Sequence, residues 1–282
     1  MRIDAHQHFW HYTDDEYGWI TDAMAAIRRD FLPRDLVPLL DEASIDATIA
    51  VHARQSLHET NWLLDLAEEH AWIAGVVGWV PLAEAGVNAE AEKALALLVE
   101  NHKLKGVRHA LQGEPDEYFE RDDFNAGVGL LRKYSLSYDL LILEHQLPMA
   151  LRFVDRHPEQ PIVLDHAAKP LIAAQVFEPW RARIHELARR PHVSCKLSGL
   201  VAEADYEHWT VDDLLPYAET VLEAFGPKRI LFGSDWPVCT VGVSYSHWAA
   251  VVHDFIAQLS VEEQDAILGG NAARFYGISQ IQ

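Results

Sequence analysis

Residues 1–12 read MRIDAHQHFWHY, and the choice of fold turns on the residues beyond the eighth of them. Polar and apolar residues alternate over 1–8, which predicts a strand. Side chains at i and i+2 of a strand point the same way, so Asp4, His6 and His8 would share one face and Ile3, Ala5 and Gln7 the other. An open, doubly wound sheet tends to place a glycine-rich phosphate turn after its first strand. The stretch HQHFWHY has no glycine and is aromatic instead. Two imidazoles side by side can hold a metal ion or polarise one substrate atom; in isolation they can equally cap backbone or face solvent.

Working outward, seven more β-like runs are present: 47–53, 73–80, 104–110, 138–144, 161–167, 192–199 and 229–235. Helical-period stretches at 34–43, 58–70, 88–101, 122–134, 146–157, 177–190, 211–225 and 244–259 alternate with the strands. Asp122 or Asp123 is placed to cap the fourth of these, and Pro216 falls in the early turns of the seventh. Runs such as DLLIL and RILF are apolar on both faces, as in a parallel sheet covered on both sides. Eight strand–helix units predict a (β/α)8 barrel, one domain spanning residues 1–282, with an extra C-terminal helix. Residues 9–32 break the rhythm. A loop that long inside a compact domain is usually functional; with Trp10, Tyr12, Tyr17 and Trp19 it reads as an apolar flap or as a lid over the barrel mouth.

The formal net charge of −20 opposes binding to nucleic acid or anionic membranes. Cys195 and Cys239 are the only cysteines, too few for a disulfide framework and without a Cys-x-x-Cys, so two buried thiols in a reducing compartment are expected. The first residues show no basic start leading into an apolar run, and no apolar stretch approaches ~18 residues. The expectation is a cytoplasmic protein.

Of the 16 histidines, His6, His8, His52, His109, His145 and His166 lie at or just past the C-terminal ends of proposed strands. In a barrel those ends converge on one face, which carries the active site. The eighth strand ends LFGSDWP and delivers Asp235 to the same mouth. A carboxylate there can take a proton from water or bind a metal, although Asp before Trp-Pro also forms turns.

IDAHQHFW, VLDHAAKP, CKLSGL, ILFGSDWP and the closing GGNAARFYG, in this order, resemble the amidohydrolase superfamily, and within it the sugar-lactonase branch. The likeness runs over essentially the whole chain and implies a (β/α)8 barrel. It puts His6 and His8 at the strand-one pair, His166 at the strand-six histidine and Asp235 at the strand-eight aspartate. No lysine stands at the end of strand four, where metal-rich members carry a bridging ligand; GVRHALQ offers Arg108 and His109 instead. A binuclear centre is therefore not expected. The branch includes members that work without metal, which leaves no required cofactor or one optional Zn held by His6, His8 and Asp235.

The reaction so implied opens a small-molecule sugar lactone, an L-fucono-lactone or similar deoxy-aldonolactone, to the free acid. Asp235 would be the base for water, with His6, His8 and His166 polarising the ring carbonyl. Candidate substrate binders are Arg54, Trp79, Arg108, His109, His145, Glu203 and Trp236. Lys196 inside CKLSG would enter either a buried ion pair or a substrate contact. The competing readings are a metal-dependent decarboxylase of aromatic acids and a lactonase of the 2-pyrone-4,6-dicarboxylate type.

Overall fold

The computed structural model describes residues 1–83 and 88–279. Eight parallel strands pair in sequence order: β1 (Ile3–Gln7), β2 (Ala47–Val51), β3 (Ile73–Gly78), β4 (Leu104–His109), β5 (Ser137–Leu140), β6 (Ile162–Leu164), β7 (Val193–Leu197) and β8 (Ile230–Phe232). A parallel bridge between Gln7 and Trp236 joins the first strand to the chain beyond the last, so the sheet closes into a barrel. The intervening helices are α1 (Pro33–Ala43), α2 (Leu57–Glu69), α3 (Asn88–Leu98), α4 (Asp122–Leu131), α5 (Leu147–Arg156), α6 (Trp180–Ala188), α7 (Val211–Phe225) and α8 (Tyr245–Ile256). The extra C-terminal segment holds two short helices, α9 (Val261–Asp265) and α10 (Asn271–Phe275). No helix is long and apolar enough to cross a membrane among the described residues.

Local chemistry sets these boundaries. Ser56 and Ser244 accept backbone N–H groups at the starts of α2 and α8, and Thr210 with Asp213 forms a capping box on α7. At α4 the capping position belongs to Arg121, not Asp122 or Asp123; Asp123 instead accepts from the Phe124 N–H and the Arg121 guanidinium.

The barrel interior has two layers. Ile3, Ala5, Ile49, Val51, Val77, Val163 and Leu231 form an apolar floor with Ala272 and Tyr276. Above it the lining turns polar. The strands are shorter at their C-terminal ends than the apolar pattern predicts, β5 by four residues and β6 and β8 by three each, because the chain there leaves the sheet toward the mouth. The alternation on β1 also fails: its register to β2 shifts between Asp4 and Gln7. Such a bulge re-aims side chains beside a site. Asp4 therefore does not share a face with His6 and His8. Its carboxylate accepts from the Ser234 N–H at 2.8 Å, the Ser234 hydroxyl at 2.6 Å and the Tyr245 hydroxyl of α8 at 3.1 Å.

Residues 9–32 form a packed flap. Phe9, Trp10, Tyr17, Ile20, Ile27 and Phe31 are buried, and Trp10 pairs with Phe31 through an antiparallel bridge. The two cysteines are buried and unpaired.

Candidate active site

The C-terminal mouth opens into a cavity of about 610 Å³ lined by His8, His52, Arg54, Arg108, His166, Lys169, Glu203 and Asp235, among others. Glu16, Trp19 and Met24 of the 9–32 flap complete its wall.

At its base three imidazoles, His8 and His166 from the lining and the fully buried His6 behind it, surround one carboxylate oxygen. Asp235 Oδ1 lies 3.4 Å from His8 Nε2, 3.7 Å from His6 Nε2 and 3.7 Å from His166 Nε2. Backbone bonds lock the ends of β1 and β8 in register: the Asp235 N–H donates to His6 O at 2.8 Å and the His8 N–H to Trp236 O at 2.7 Å. Asp235 has φ +57°, a left-handed conformation costly for a non-glycine residue. Its neighbours hold it there. The Ser234 hydroxyl gives its proton to Asp4 and accepts the Trp236 N–H at 2.9 Å. Burial pushes the Asp4 carboxyl up to about 6 against these bonds.

His166 enters by a second unusual path. His166, Ala167, Ala168 and Lys169 all have positive φ. The imidazole then fits over Gly199, where a Cβ would come within 2.5 Å of Nδ1, and that nitrogen bonds the Ser198 hydroxyl at 2.8 Å.

Beneath the histidines lies a buried charged cluster. Lys196 Nζ is 2.5 Å from Asp139 Oδ2, 3.0 Å from Asp165 Oδ1 and 3.0 Å from His6 Nδ1. Arg108 Nη1 donates to Asp165 Oδ2 at 3.1 Å, and Arg108 also donates to His52 O. The Tyr276 hydroxyl, rising from the floor, donates to Asp139 at 2.7 Å. Lys196 is thus in a buried ion pair. Burial, then the Lys196 charge, lowers His6 well below the ordinary histidine value; burial brings His166 down to about 4. Burial opposes ionisation of Asp235, but the surrounding imidazoles, His166 first, hold its carboxyl below the usual range. The centre therefore presents neutral imidazoles around an ionised carboxylate at neutral pH.

The other expected residues divide between the cavity wall and the packing around it. Arg54 lines the cavity in an ion pair with Glu16, and Glu203 lines it beside Lys169 at 3.6 Å. His52 lies between two backbone carbonyls, with Nδ1 2.8 Å from Arg54 O and Nε2 2.9 Å from Arg108 O, and as a neutral imidazole it donates to one of them. His109, Trp79, His145 and Trp236 do not line the cavity. His109 sits between the Trp79 indole N–H and Glu114 and stacks on Tyr118. The side chain of His145 is 58% exposed beside Glu144. Trp236 is buried against Phe9 and Phe31. Sequence reasoning missed Asp165, Asp139 and Lys169. Asp165 and Lys169 lie inside VLDHAAKP, where a carboxylate directly before the strand-end histidine was the available signal.

The spacing of His6 Nε2, His8 Nε2 and Asp235 Oδ1, 3.2 to 3.7 Å, fits the edges of a tetrahedral ion with ligands at about 2.0–2.1 Å. His8 suits that role: its Nδ1 donates to Val51 O at 2.7 Å, leaving the Nε2 lone pair free.

The site is thus a pair of histidines at the end of the first strand and an aspartate after the last, meeting at the mouth of a parallel (β/α)8 barrel. The amidohydrolase family model matches residues 3–278, and the chain belongs to that family. It is 42% identical to an L-fucono-1,5-lactonase from Burkholderia multivorans, over 99% of this chain and 97% of that protein. It is 36% identical to a second L-fucono-1,5-lactonase, from Burkholderia ambifaria, with the same coverage. A crystal structure of a Burkholderia multivorans amidohydrolase with bound zinc superposes at TM-score 0.92 with 42% identity, covering 99% of this chain and all of that one.

Proposed function

We propose that the protein hydrolyses a neutral sugar lactone of the deoxy-aldonolactone type to the free acid, with Asp235 as the base. The observation that carries this reading is the convergence of His6, His8 and His166 on Asp235 Oδ1 at the base of the cavity. The 42% identity to a Burkholderia multivorans L-fucono-1,5-lactonase over nearly the full length of both chains supports it.

The site divides into acceptors and donors. Asp235 accepts a hydrogen bond from the attacking water and takes its proton as the oxygen attacks the lactone carbonyl. His8 therefore does not polarise the carbonyl, contrary to the expectation from sequence, because its one proton is committed to Val51 O. Arg108 and the His6 Nε2–H donate toward the tetrahedral oxyanion, and losing one such donor typically costs ~10²–10³ in kcat. When the ring C–O bond breaks, Asp235 returns its proton to the departing alkoxide oxygen. A divalent ion held by His6, His8 and Asp235 would supply Lewis-acid polarisation of the carbonyl. An ester with an alkoxide leaving group needs less such help than an amide, so the reaction proceeds on the side chains alone.

Charge pairing favours a neutral substrate. The cations lining the cavity among the described residues are Arg54, Arg108 and Lys169. Each faces a carboxylate, from Glu16, Asp165 and Glu203 respectively. None is left over for a dicarboxylate ring. The test is a panel of aldono-lactones and a pyrone dicarboxylate in a pH-indicator assay, with and without chelator. Turnover of neutral deoxysugar lactones that survives chelation is expected. Preference for the dicarboxylate would overturn the substrate class; loss on chelation with recovery on stoichiometric Zn²⁺ would make the histidine pair metal ligands.

A further inference from the structure

We propose that Lys196 is a positioning residue for the lactone reaction: by donating to His6 Nδ1 it fixes His6 as the Nε2–H tautomer, a hydrogen-bond donor aimed at the reacting centre. The proposal rests on the reading of this cavity as a lactone-opening site.

The argument is one of donors and acceptors. An ammonium group has three donors and no acceptor. Lys196 Nζ has three partners: Asp139 Oδ2 at 2.5 Å, Asp165 Oδ1 at 3.0 Å and His6 Nδ1 at 3.0 Å. Asp139 accepts a hydrogen bond, and Asp165 Oδ1 stands at ion-pair distance without one; neither carboxylate can donate. The third must accept as well, since two N–H groups facing each other at that distance repel. A neutral His6 that accepts at Nδ1 carries its proton at Nε2. From there the chain continues in one sense. His6 Nε2 is 3.2 Å from His8 Nε2, and His8 Nδ1 is 2.7 Å from Val51 O. Val51 O can only accept, so His8 donates from Nδ1 and accepts at Nε2, which is what a His6 Nε2–H requires. Without substrate, Lys196, His6, His8 and the Val51 carbonyl thus form a run of hydrogen bonds with every donor facing an acceptor, and the His6 Nε2–H turns from His8 to the oxyanion as that forms.

One contact pulls the other way. Arg108 Nη1 lies 3.4 Å from His6 Nε2, and a guanidinium only donates. The opposite tautomer would serve that contact and give His6 Nδ1–H to Asp165 Oδ1 at 3.4 Å. It would also set a proton against Lys196 at 3.0 Å and leave two lone pairs facing each other between His6 and His8. Arg108 Nη1 already has Asp165 Oδ2 at 3.1 Å, so its contact with His6 is the weaker demand. Lys196 decides the tautomer.

The consequence reaches metal binding. A histidine ligates through a nitrogen lone pair. With its proton on Nε2, His6 offers none toward His8 and Asp235, although the spacing of the three suits an ion. Lys196 thereby biases the site toward direct hydrogen-bond chemistry and against a tightly held divalent ion. Without it, His6 Nδ1–H can turn to Asp165 Oδ1 and free Nε2.

The first experiment needs no variant of Lys196. In chelator-treated protein with ¹⁵N-labelled histidine, His6 resonances are assigned by their loss in His6→Asn. A bare Nδ1 and a protonated Nε2 are expected; a protonated Nδ1 overturns the proposal. The second uses Lys196→Met. Metal-free kcat should fall about 100-fold with KM within about threefold, the size of one lost oxyanion donor. Zinc affinity, read by competition with a chelating dye, should rise about tenfold, the lower end of effects from groups behind a ligand. Unchanged metal-free kcat, or zinc affinity that falls, overturns it. If Lys196→Met does not fold, the wild-type spectrum decides. Asp235→Asn in the same assay separates the two failures: if it stays active the reaction scheme is wrong, whereas the histidine spectrum tests the tautomer whatever the substrate.

Discussion

The barrel mouth has two unlike sectors. On the β8–β1 side and at β6, the chain leaves the sheet in left-handed conformations at Asp235 and at His166–Lys169, and the side chains turn inward to one point. On the β3–β5 side no positive φ occurs at Trp79, His109 or His145, and these side chains satisfy one another or face solvent. Reaching the end of a strand is therefore not enough to join the site. Asp235 and His166 converge on backbone held in a costly shape by its neighbours, and His6 and His8 join them past the bulge in β1.

Asp235→Asn tests the first sector most severely. It preserves shape and removes the proton acceptor, so kcat should fall by about 10²–10⁴. Activity within threefold of wild type would take Asp235 out of the chemistry and leave the comparison without its centre.

Asp4→Asn asks whether Asp4 and Ser234 hold the costly turn. Asp4 accepts the His6 backbone N–H at 3.1 Å, Ser234 on one side of Asp235 bonds to it, and Trp236 on the other side bonds to Ser234. An amide cannot accept at both side-chain positions. Asp235 should shift by a fraction of an ångström, and kcat should fall about 10–100-fold with KM within about threefold, as small misplacements of reacting groups do. Tyr245→Phe removes the outer bond to Asp4 and leaves the Ser234 bonds in place. It should lower Tm and spare kcat; a loss in kcat equal to that of Asp4→Asn would mean that general destabilisation explains both.

Asp4 and Asp235 also mark what the sequence made legible. Eight-fold alternation was readable because each unit buries an apolar strand and an amphipathic helix, and His6, His8, His166 and Asp235 were readable as polar residues at the ends of such strands. The bulge in β1 was not, since a strand pattern assumes period two, and this put Asp4 on the wrong face. The Lys196–Asp139–Asp165 cluster was legible only in part: CKLSG allowed Lys196 a buried ion pair, but its partners Asp139 and Asp165 belong to other strand units and look like surface residues until the barrel closes. His109 and His145 were misjudged for the converse reason. Position along a strand is written in the sequence, but the direction of the following turn depends on partners such as Glu114 and Tyr118, which belong to the loop beyond.

Trp19→Ala measures how much the flap contributes to binding. Its ring lines the cavity, packs edge-on to Trp10 at 5.9 Å and is 40% exposed. Loss of one aromatic contact of ~1 kcal/mol should raise KM about fivefold. A drop in Tm with KM unchanged would make residues 9–32 packing alone.

The smallest effect is expected at His145, and it tests the second sector. Its imidazole is mostly exposed, its nearest charged partner is Glu144 at 3.6 Å, and it does not line the cavity. Exposed side chains without buried partners change stability by no more than about 0.5 kcal/mol on replacement, and a group out of reach of substrate contributes nothing to the barrier. His145→Ala should therefore leave kcat, KM and Tm close to wild type, with kcat/KM changed by less than about twofold. A tenfold loss in kcat/KM with Tm unchanged would show that the β5 loop swings His145 onto bound substrate. The second sector would then be an open half of the site, closing only when a lactone is present, and the contrast between the two sides would become one of timing instead of architecture.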